Sequence, residues 1–297
     1  GVNPLYNSPW FDFQLGFFKI GEVLAGNYYW FSSPYLTFTV NGTDEDLINM
    51  SYSLWSVNAY ANTIRERLQT AEVDEGTKNT CIGECLVWKA MAYFYLVRTF
   101  GAVPIVHSNS EEIEADNYNE KYKVQVPDVY EYIIMTLEKA IELLPATNSE
   151  GRIDQYTAKG LLAKVYLTKS GYGMSGSRDE EDLKQAAAYA KDVIDNSGRH
   201  LLENYSDVFR LSNNFNEECL LSWHWSASSD VYTCQNALQS SLAITGFDEF
   251  GDCWGGYNGP SVDLQDAFGE NALSPTRYNG DARRKATMMM CGLARRL

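Results

Sequence analysis

Apolar positions follow several distinct rhythms along the chain. Residues 81–104, CIGECLVWKAMAYFYLVRTFGAVP, form a long apolar run interrupted only by Glu84, Lys89 and Arg98. A helix apolar on nearly every face is buried inside a larger bundle. Gly101 stands where a helix C-cap takes a left-handed residue, and Pro104 follows as a stop. Residues 128–144 carry Val129, Tyr130, Ile133, Ile134, Leu137, Ala140, Ile141 and Leu144, one stripe at three- and four-residue spacing. Asp128 is the expected cap, with Glu131 as its capping-box partner and Pro145 as the stop. Residues 157–170 and 181–196 predict two more helices, through Leu161, Leu162, Val165 and Tyr166, then Leu183, Ala186, Ala187, Ala190, Val193 and Ile194. Residues 55–68 predict another. Residues 218–225, ECLLSWHW, read as a strand or buried extended segment, and 246–260 as loop.

Residues 130–145 look like the second helix of a tetratricopeptide unit, and 158–171 with 182–198 look like a further pair, joined by an unusually long loop. Such antiparallel pairs stack and bury a continuous core. The expected fold class is therefore mainly α, tetratricopeptide-like helical repeats with loop-rich additions and little strand. The expected division is a helical-repeat region over 1–212 and a loop-rich region over 213–297.

With 297 residues, 45% of them hydrophobic, the chain is long enough for a full core. The net charge of −15 argues against nucleic acid and polybasic membrane-surface binding. The sequence predicts no membrane span, the best stretch, 86–97, being short and interrupted by Lys89. The six cysteines, Cys81, Cys85, Cys219, Cys234, Cys253 and Cys291, contain no Cys-x-x-Cys pair. They read as buried or incidental thiols, against zinc or a structural disulfide.

Residues 171–176 fit G-x-G-x-x-G but follow a helix rather than a strand, so they read as plain loop. His107, His200 and His224 sit in no triad or metal spacing. The 39 acidic residues offer many possible carboxylate pairs for glycoside cleavage and sequence gives no distance between them, so a glycosidase, with two carboxylates facing across a cleft, stands as a third reading. Three glycosylation sequons, at Asn41, Asn49 and Asn204, match a pattern common by chance. No catalytic residue, cofactor or metal is expected.

The 40 aromatic residues, 20 Tyr, 13 Phe and 7 Trp, carry the candidate binding chemistry. Tyr28, Tyr29 and Trp30 precede a Ser-Ser-Pro loop, and Trp254 and Tyr257 lie among glycines, with Asn27, Asp252 and Asn258 beside them. Aromatic faces beside amides and carboxylates suit sugar rings and their hydroxyls. The competing reading is that these rings pack the loops onto helices. The candidate ligand contacts are Tyr28, Trp30, Asp252, Trp254, Tyr257 and Asn258.

The run Gly83, Glu84, Ala90, Ala92, Tyr93, Phe94, Tyr95, Leu96, Val97, Arg98, Phe100, Gly101, Val103 and Pro104 resembles the signature helix of SusD/RagB-like proteins. Further similarity follows at Gly151-Arg152, Thr157-Ala158-Lys159, 162–167, 190–194, 205–209, Gly259-Pro260-Ser261 and 281–284. The resemblance implies a mostly helical, non-catalytic outer-membrane lipoprotein that captures a glycan or other nutrient at the cell surface and delivers it to a SusC-like TonB-dependent transporter. The alternative is a tetratricopeptide-like protein–protein adaptor. The chain starts at Gly1 without a leader or an N-terminal cysteine and stops at Leu297. The expectation is thus a fragment without its lipid anchor and its C-terminal part.

Overall fold

A computed structural model describes residues 1–116, 121–226, 235–242, 255–256, 258–268 and 281–287. The helices are α1 (Phe13–Phe18), α2 (Glu45–Gln69), α3 (Glu75–Phe100), α4 (Asn109–Glu114), α5 (Val126–Leu143), α6 (Gln155–Lys169), α7 (Glu180–Asn196), α8 (Ala237–Leu242), α9 (Val262–Ala267) and α10 (Ala282–Thr287). The strands are β1 (Tyr28–Tyr29) and β2 (Gly259–Pro260). The protein is mostly α-helical, as its periodicity predicts. It divides into two compact units that run across the 212/213 boundary. One gathers Gly1–Phe11, Ser51–His200 and Cys219–Cys234; the other gathers Asp12–Met50, Leu201–Glu218 and Gln235–Leu297.

In the first unit, α3 is the core. Its side chains from Gly83 to Val97 are buried with the exception of Tyr95, which is half-buried. The helix is in fact long and apolar enough to cross a membrane, contrary to expectation. However, 78% of its most apolar window is covered by the protein, the signature of a core helix. Asp74 caps it by accepting from the Thr77 N–H at 2.8 Å. Gly101, with φ of +73°, ends it.

Successive helices run antiparallel. Lys78 near the start of α3 donates to the Gln69 carbonyl at the end of α2, while Lys89 reaches back to Asn62. The early α3 residue Gly83 lies against Leu144 just past α5, and Tyr93 meets Tyr132 near the start of α5. Gln155 at the start of α6 donates to the Ile141 carbonyl near the end of α5 at 3.0 Å. Lys169 at the end of α6 pairs with Asp182 at the start of α7, and Lys159 with Asp192. The long loop between α6 and α7 still closes a hairpin, because the Asp179 N–H donates to the Ser170 carbonyl at 2.8 Å.

α2 starts at Glu45, ahead of the expected helix over 55–68, and two further features differ from expectation. α5 starts at Val126, not Asp128, because Pro127 occupies a first-turn position where its missing N–H costs nothing. Gln125 is the N-cap residue and makes no side-chain capping bond. A true capping box sits instead at Asp154 and Thr157, at the head of α6. Residues 218–225 form no regular strand. They are a half-buried extended segment pinned by isolated bonds: the His224 N–H to the Tyr6 carbonyl at 2.8 Å, and the Thr157 hydroxyl to the Leu220 carbonyl at 2.7 Å.

Glu84 and Lys89 are the most deeply buried charged side chains described in this unit. Glu84 is fully buried and forms a bidentate pair with Arg152, at 2.6 and 3.2 Å. Asn148 donates to the same carboxylate at 3.1 Å. Burial pushes the Glu84 carboxyl pKa up, and its hydrogen bond and charge attraction with Arg152 act the other way. Lys89 is 1% exposed. Its ammonium donates to Asn62 Oδ1 at 2.6 Å and the Val106 carbonyl at 3.1 Å.

In the second unit, α1 lies close against the first turns of α2. A Cβ on Gly16 would sit 2.7 Å from the Asp46 carbonyl and 2.8 Å from Met50 Cβ. Only a glycine allows that approach. The loop that follows is pinned at buried Tyr35, whose hydroxyl donates to Asp44 Oδ1 at 2.7 Å. Asp44 Oδ1 in turn accepts from the Leu47 N–H at 3.0 Å at the head of α2.

Candidate functional site: an aromatic corner at the short sheet

β1 and β2 pair antiparallel, with Tyr28 opposite Pro260 and Tyr29 opposite Gly259. Residues 230 positions apart in sequence are thereby brought together. The Ser261 N–H donates to the Asn27 carbonyl at 2.9 Å. The Phe31 N–H donates to Asn258 Oδ1 at 2.7 Å. Asn258 therefore fixes the backbone that displays the aromatic residues.

Side chains alternate across an extended strand, and here the alternation separates two roles. Tyr28 and Trp30 are half-buried and pack inward. Phe18 of α1 meets Tyr28 edge-on at 5.0 Å and lies 6.1 Å from Trp30. The Lys19 ammonium sits 4.7 Å from the Trp30 ring centroid and also pairs with Asp46. Burial raises the Tyr28 hydroxyl pKa. Tyr29 and Phe31, by contrast, are 46% and 68% exposed. Glu22 closes one side, accepting from Asn27 Nδ2 at 3.0 Å.

Of the six candidate residues, the structure brings Tyr28, Trp30 and Asn258 into one corner. Asp252, Trp254 and Tyr257 lie outside the described residues. Phe31 was missed. Strict alternation from Tyr28 to Phe31 was the available signal, but four consecutive aromatics, YYWF, hide which face is which until a partner strand is known.

His224 and His107 pack against tyrosine rings. His224 packs on Tyr6 at 4.5 Å between ring centroids, with a ring nitrogen 2.8 Å from the Gly151 carbonyl. Burial lowers its pKa. His107 meets Tyr132 edge-on at 5.1 Å. Among the described residues Cys81, Cys85 and Cys219 are free thiols, and no cluster of His, Cys, Asp and Glu has metal-ligand geometry.

A family model described as "Starch-binding associating with outer membrane" matches residues 22–167. A SusD-like protein of Bacteroides ovatus is 38% identical over 268 residues, which is 88% of this chain and 48% of that protein. This chain belongs to the SusD-like family. The family is starch- and glycan-binding and is associated with the outer membrane. Solved SusD-like neighbours share the architecture. A structure determined with xylogluco-oligosaccharide has a TM-score of 0.82 and 34% identity, covering 90% of this chain and 54% of that one. A laminarin-binding SusD-like protein has a TM-score of 0.54 and 28% identity, covering 63% of this chain and 40% of that one. The chain thus spans about half the length of these relatives.

Proposed function

We propose that this SusD-like chain serves in non-catalytic capture of a glycan or other nutrient at the cell surface, for delivery to a SusC-like TonB-dependent transporter. The observation that carries the reading is the pair of exposed rings, Tyr29 and Phe31, on a strand whose other face is fixed by Phe18, Tyr28 and Trp30. A rigid ring loses little conformational freedom when a sugar stacks on it, and a preformed site binds without reorganising. Membership in a glycan-binding family supports the ligand class, as does the xylogluco-oligosaccharide in a 34% identical relative. Lipid anchoring at the outer membrane belongs to the same reading. Asp252, Trp254 and Tyr257 would add contacts from the stretch after Glu249, with Asn258 holding the strand.

The test is calorimetry with xylogluco-oligosaccharide, laminarin and malto-oligosaccharide, together with an assay for new reducing ends. Binding to one of them without cleavage is expected, weakened several-fold by Tyr29→Ala with Phe31→Ala and by Trp254→Ala. Accumulating reducing ends, or a folded protein that binds no nutrient class, would overturn the reading.

A further inference from the structure

We propose that a cleft between α2 and α5, within the first unit, is a second binding site, where Arg65 takes the carboxylate of a small organic acid. The proposal does not depend on the glycan-capture reading, and the cleft shares no residue with the aromatic corner. Its volume is about 450 Å³. Arg65 and His107 line its basic side, and Leu86, Tyr132 and Met135 give it apolar surface for the body of a ligand. Arg65 is half-buried, and its guanidinium makes no hydrogen bond or ion pair with any residue. A partly desolvated cation without a partner is costly. The guanidinium fork matches a carboxylate through two parallel hydrogen bonds.

Three bases converge on Tyr132. The Lys89 ammonium lies 5.7 Å from its ring centroid, the His107 ring lies 5.1 Å away, and the charge of Arg65 acts on its hydroxyl. Burial lowers the His107 pKa, and the charges of Lys89 and Arg65 lower it further, each outweighing Glu111. Burial lowers Lys89 as well, with Arg65 acting in the same sense and outweighing Glu66. The bases therefore repel one another. The nearby acids are placed elsewhere. Glu66 accepts from the Ser108 and Ser110 hydroxyls, at 2.6 and 2.8 Å. Asp128 and Glu131 are exposed on α5, Asp128 in its first turn near the positive end of the helix dipole. Lys139, also on the rim, is exposed and paired with Glu142. A carboxylate on Arg65 would ease the repulsion among the bases, so its binding should draw protons onto His107 and Lys89.

The test is calorimetry on the full chain at low salt, just above neutral pH. The ligands are galacturonate and N-acetylleucine, with galactose and N-acetylleucinamide as their neutral counterparts. Saturable binding of at least one acid is expected, and of neither neutral compound. Arg65→Gln should weaken it at least about tenfold. Arg65→Lys should recover only part of the loss, because an ammonium lacks the fork. Circular dichroism checks that both variants fold. Heats measured in Tris and in imidazole buffers should differ by the proton uptake, a readout on the unaltered chain. Binding of galacturonate alone supports the site with a sugar acid as its source. Binding of N-acetylleucine supports it with a non-sugar acid. Equal binding of a neutral counterpart, no binding of either acid, or undiminished binding by Arg65→Gln overturns the proposal. Binding without proton uptake puts the carboxylate away from His107 and Lys89 and overturns it too.

Discussion

Lys89 sets up a pH dependence of stability with a definite sign. Its ammonium is surrounded by α2, α3, α5 and the segment after α3, with Asn62 Oδ1, the Val106 carbonyl and the Tyr132 ring as neighbours. The described ion pairs include none to it. Burial, reinforced by the charge of Arg65 and opposed by Glu66, lowers its pKa from the ordinary lysine value to about 7. In the unfolded chain the same group titrates near 10.4. Between those values the unfolded chain holds a proton that the folded chain releases, so stability rises with pH. The contribution is complete above the unfolded value and is lost as pH falls through the folded one. The slope approaches about 1.4 kcal/mol per pH unit.

Other groups confine the usable window. Burial lowers the pKa values of His107 and His224, so their linkage is finished by about pH 7. Burial raises Cys85, which subtracts stability once unfolded thiols ionise near pH 8.5. Between pH 7 and 8.5 the gain due to Lys89 should be roughly 1–2 kcal/mol, read from urea midpoints followed by circular dichroism. Lys89→Met should remove that gain. It also strands Asn62 Oδ1, at a cost of about 1–3 kcal/mol, so the variant falls furthest below the parent at pH 8.5. A parent curve flat across the window, or a variant with the same slope, would refute the reasoning.

Two further perturbations follow from the same core. Arg152→Met leaves the buried Glu84 carboxylate facing only Asn148 and Tyr6, and should cost about 3–5 kcal/mol in urea unfolding. Adding Glu84→Met should recover much of that loss; a double variant no better than the single one counts against a charge-based cause. Gly83→Ala and Gly101→Ala should both destabilise, for different reasons. At Gly83 the new Cβ would lie 2.6 Å from Leu144 Cγ, so pairing it with Leu144→Ala should relieve the clash. At Gly101 the space is open but φ is +73° and ψ −124°, a region costing a side-chain-bearing residue about 1–3 kcal/mol that no neighbouring truncation rescues. Thermal midpoints of the singles and doubles decide between these accounts.

The helices were legible where burial imposes a period or saturates it. The stripe of α5 and the continuous apolar surface of α3 both declare themselves in the sequence. The first turns of α2 did not, because Asp46, Asn49 and Ser51 interrupt any apolar repeat there, and the helix is held at Gly16 and Asp44 by contacts from outside itself. The start of α5 was misplaced because Asp128 is a good cap by composition, whereas Pro127 begins the helix earlier by its geometry. The aromatic corner was legible as a composition and illegible as a surface. Tyr28 and Trp30 are candidate contacts by composition; in the structure they are half-buried against Phe18, while Tyr29 and Phe31 are exposed. A two-residue pairing across 230 positions leaves no local trace, and a one-residue change of register exchanges the two faces.

α3 makes the larger point about buried charge. By length and apolarity it passes the test for a membrane span, and a bilayer would satisfy its aliphatic and aromatic surface as well as a protein core does. Glu84 and Lys89 distinguish the two environments. Each would be costly in hydrocarbon, and each has dedicated partners on neighbouring segments: Arg152 and Asn148 for the carboxylate, Asn62 and the Val106 carbonyl for the ammonium. Those partners come from α2, from the turn before α6 and from the segment after α3, so satisfying the two charges requires these elements to be in place around the helix. Apolar contacts tolerate sliding along α3, whereas a bidentate pair and a 2.6 Å hydrogen bond do not. The apolar surface therefore drives α3 into a core, and its two buried charged residues, Glu84 and Lys89, fix which core and in what register.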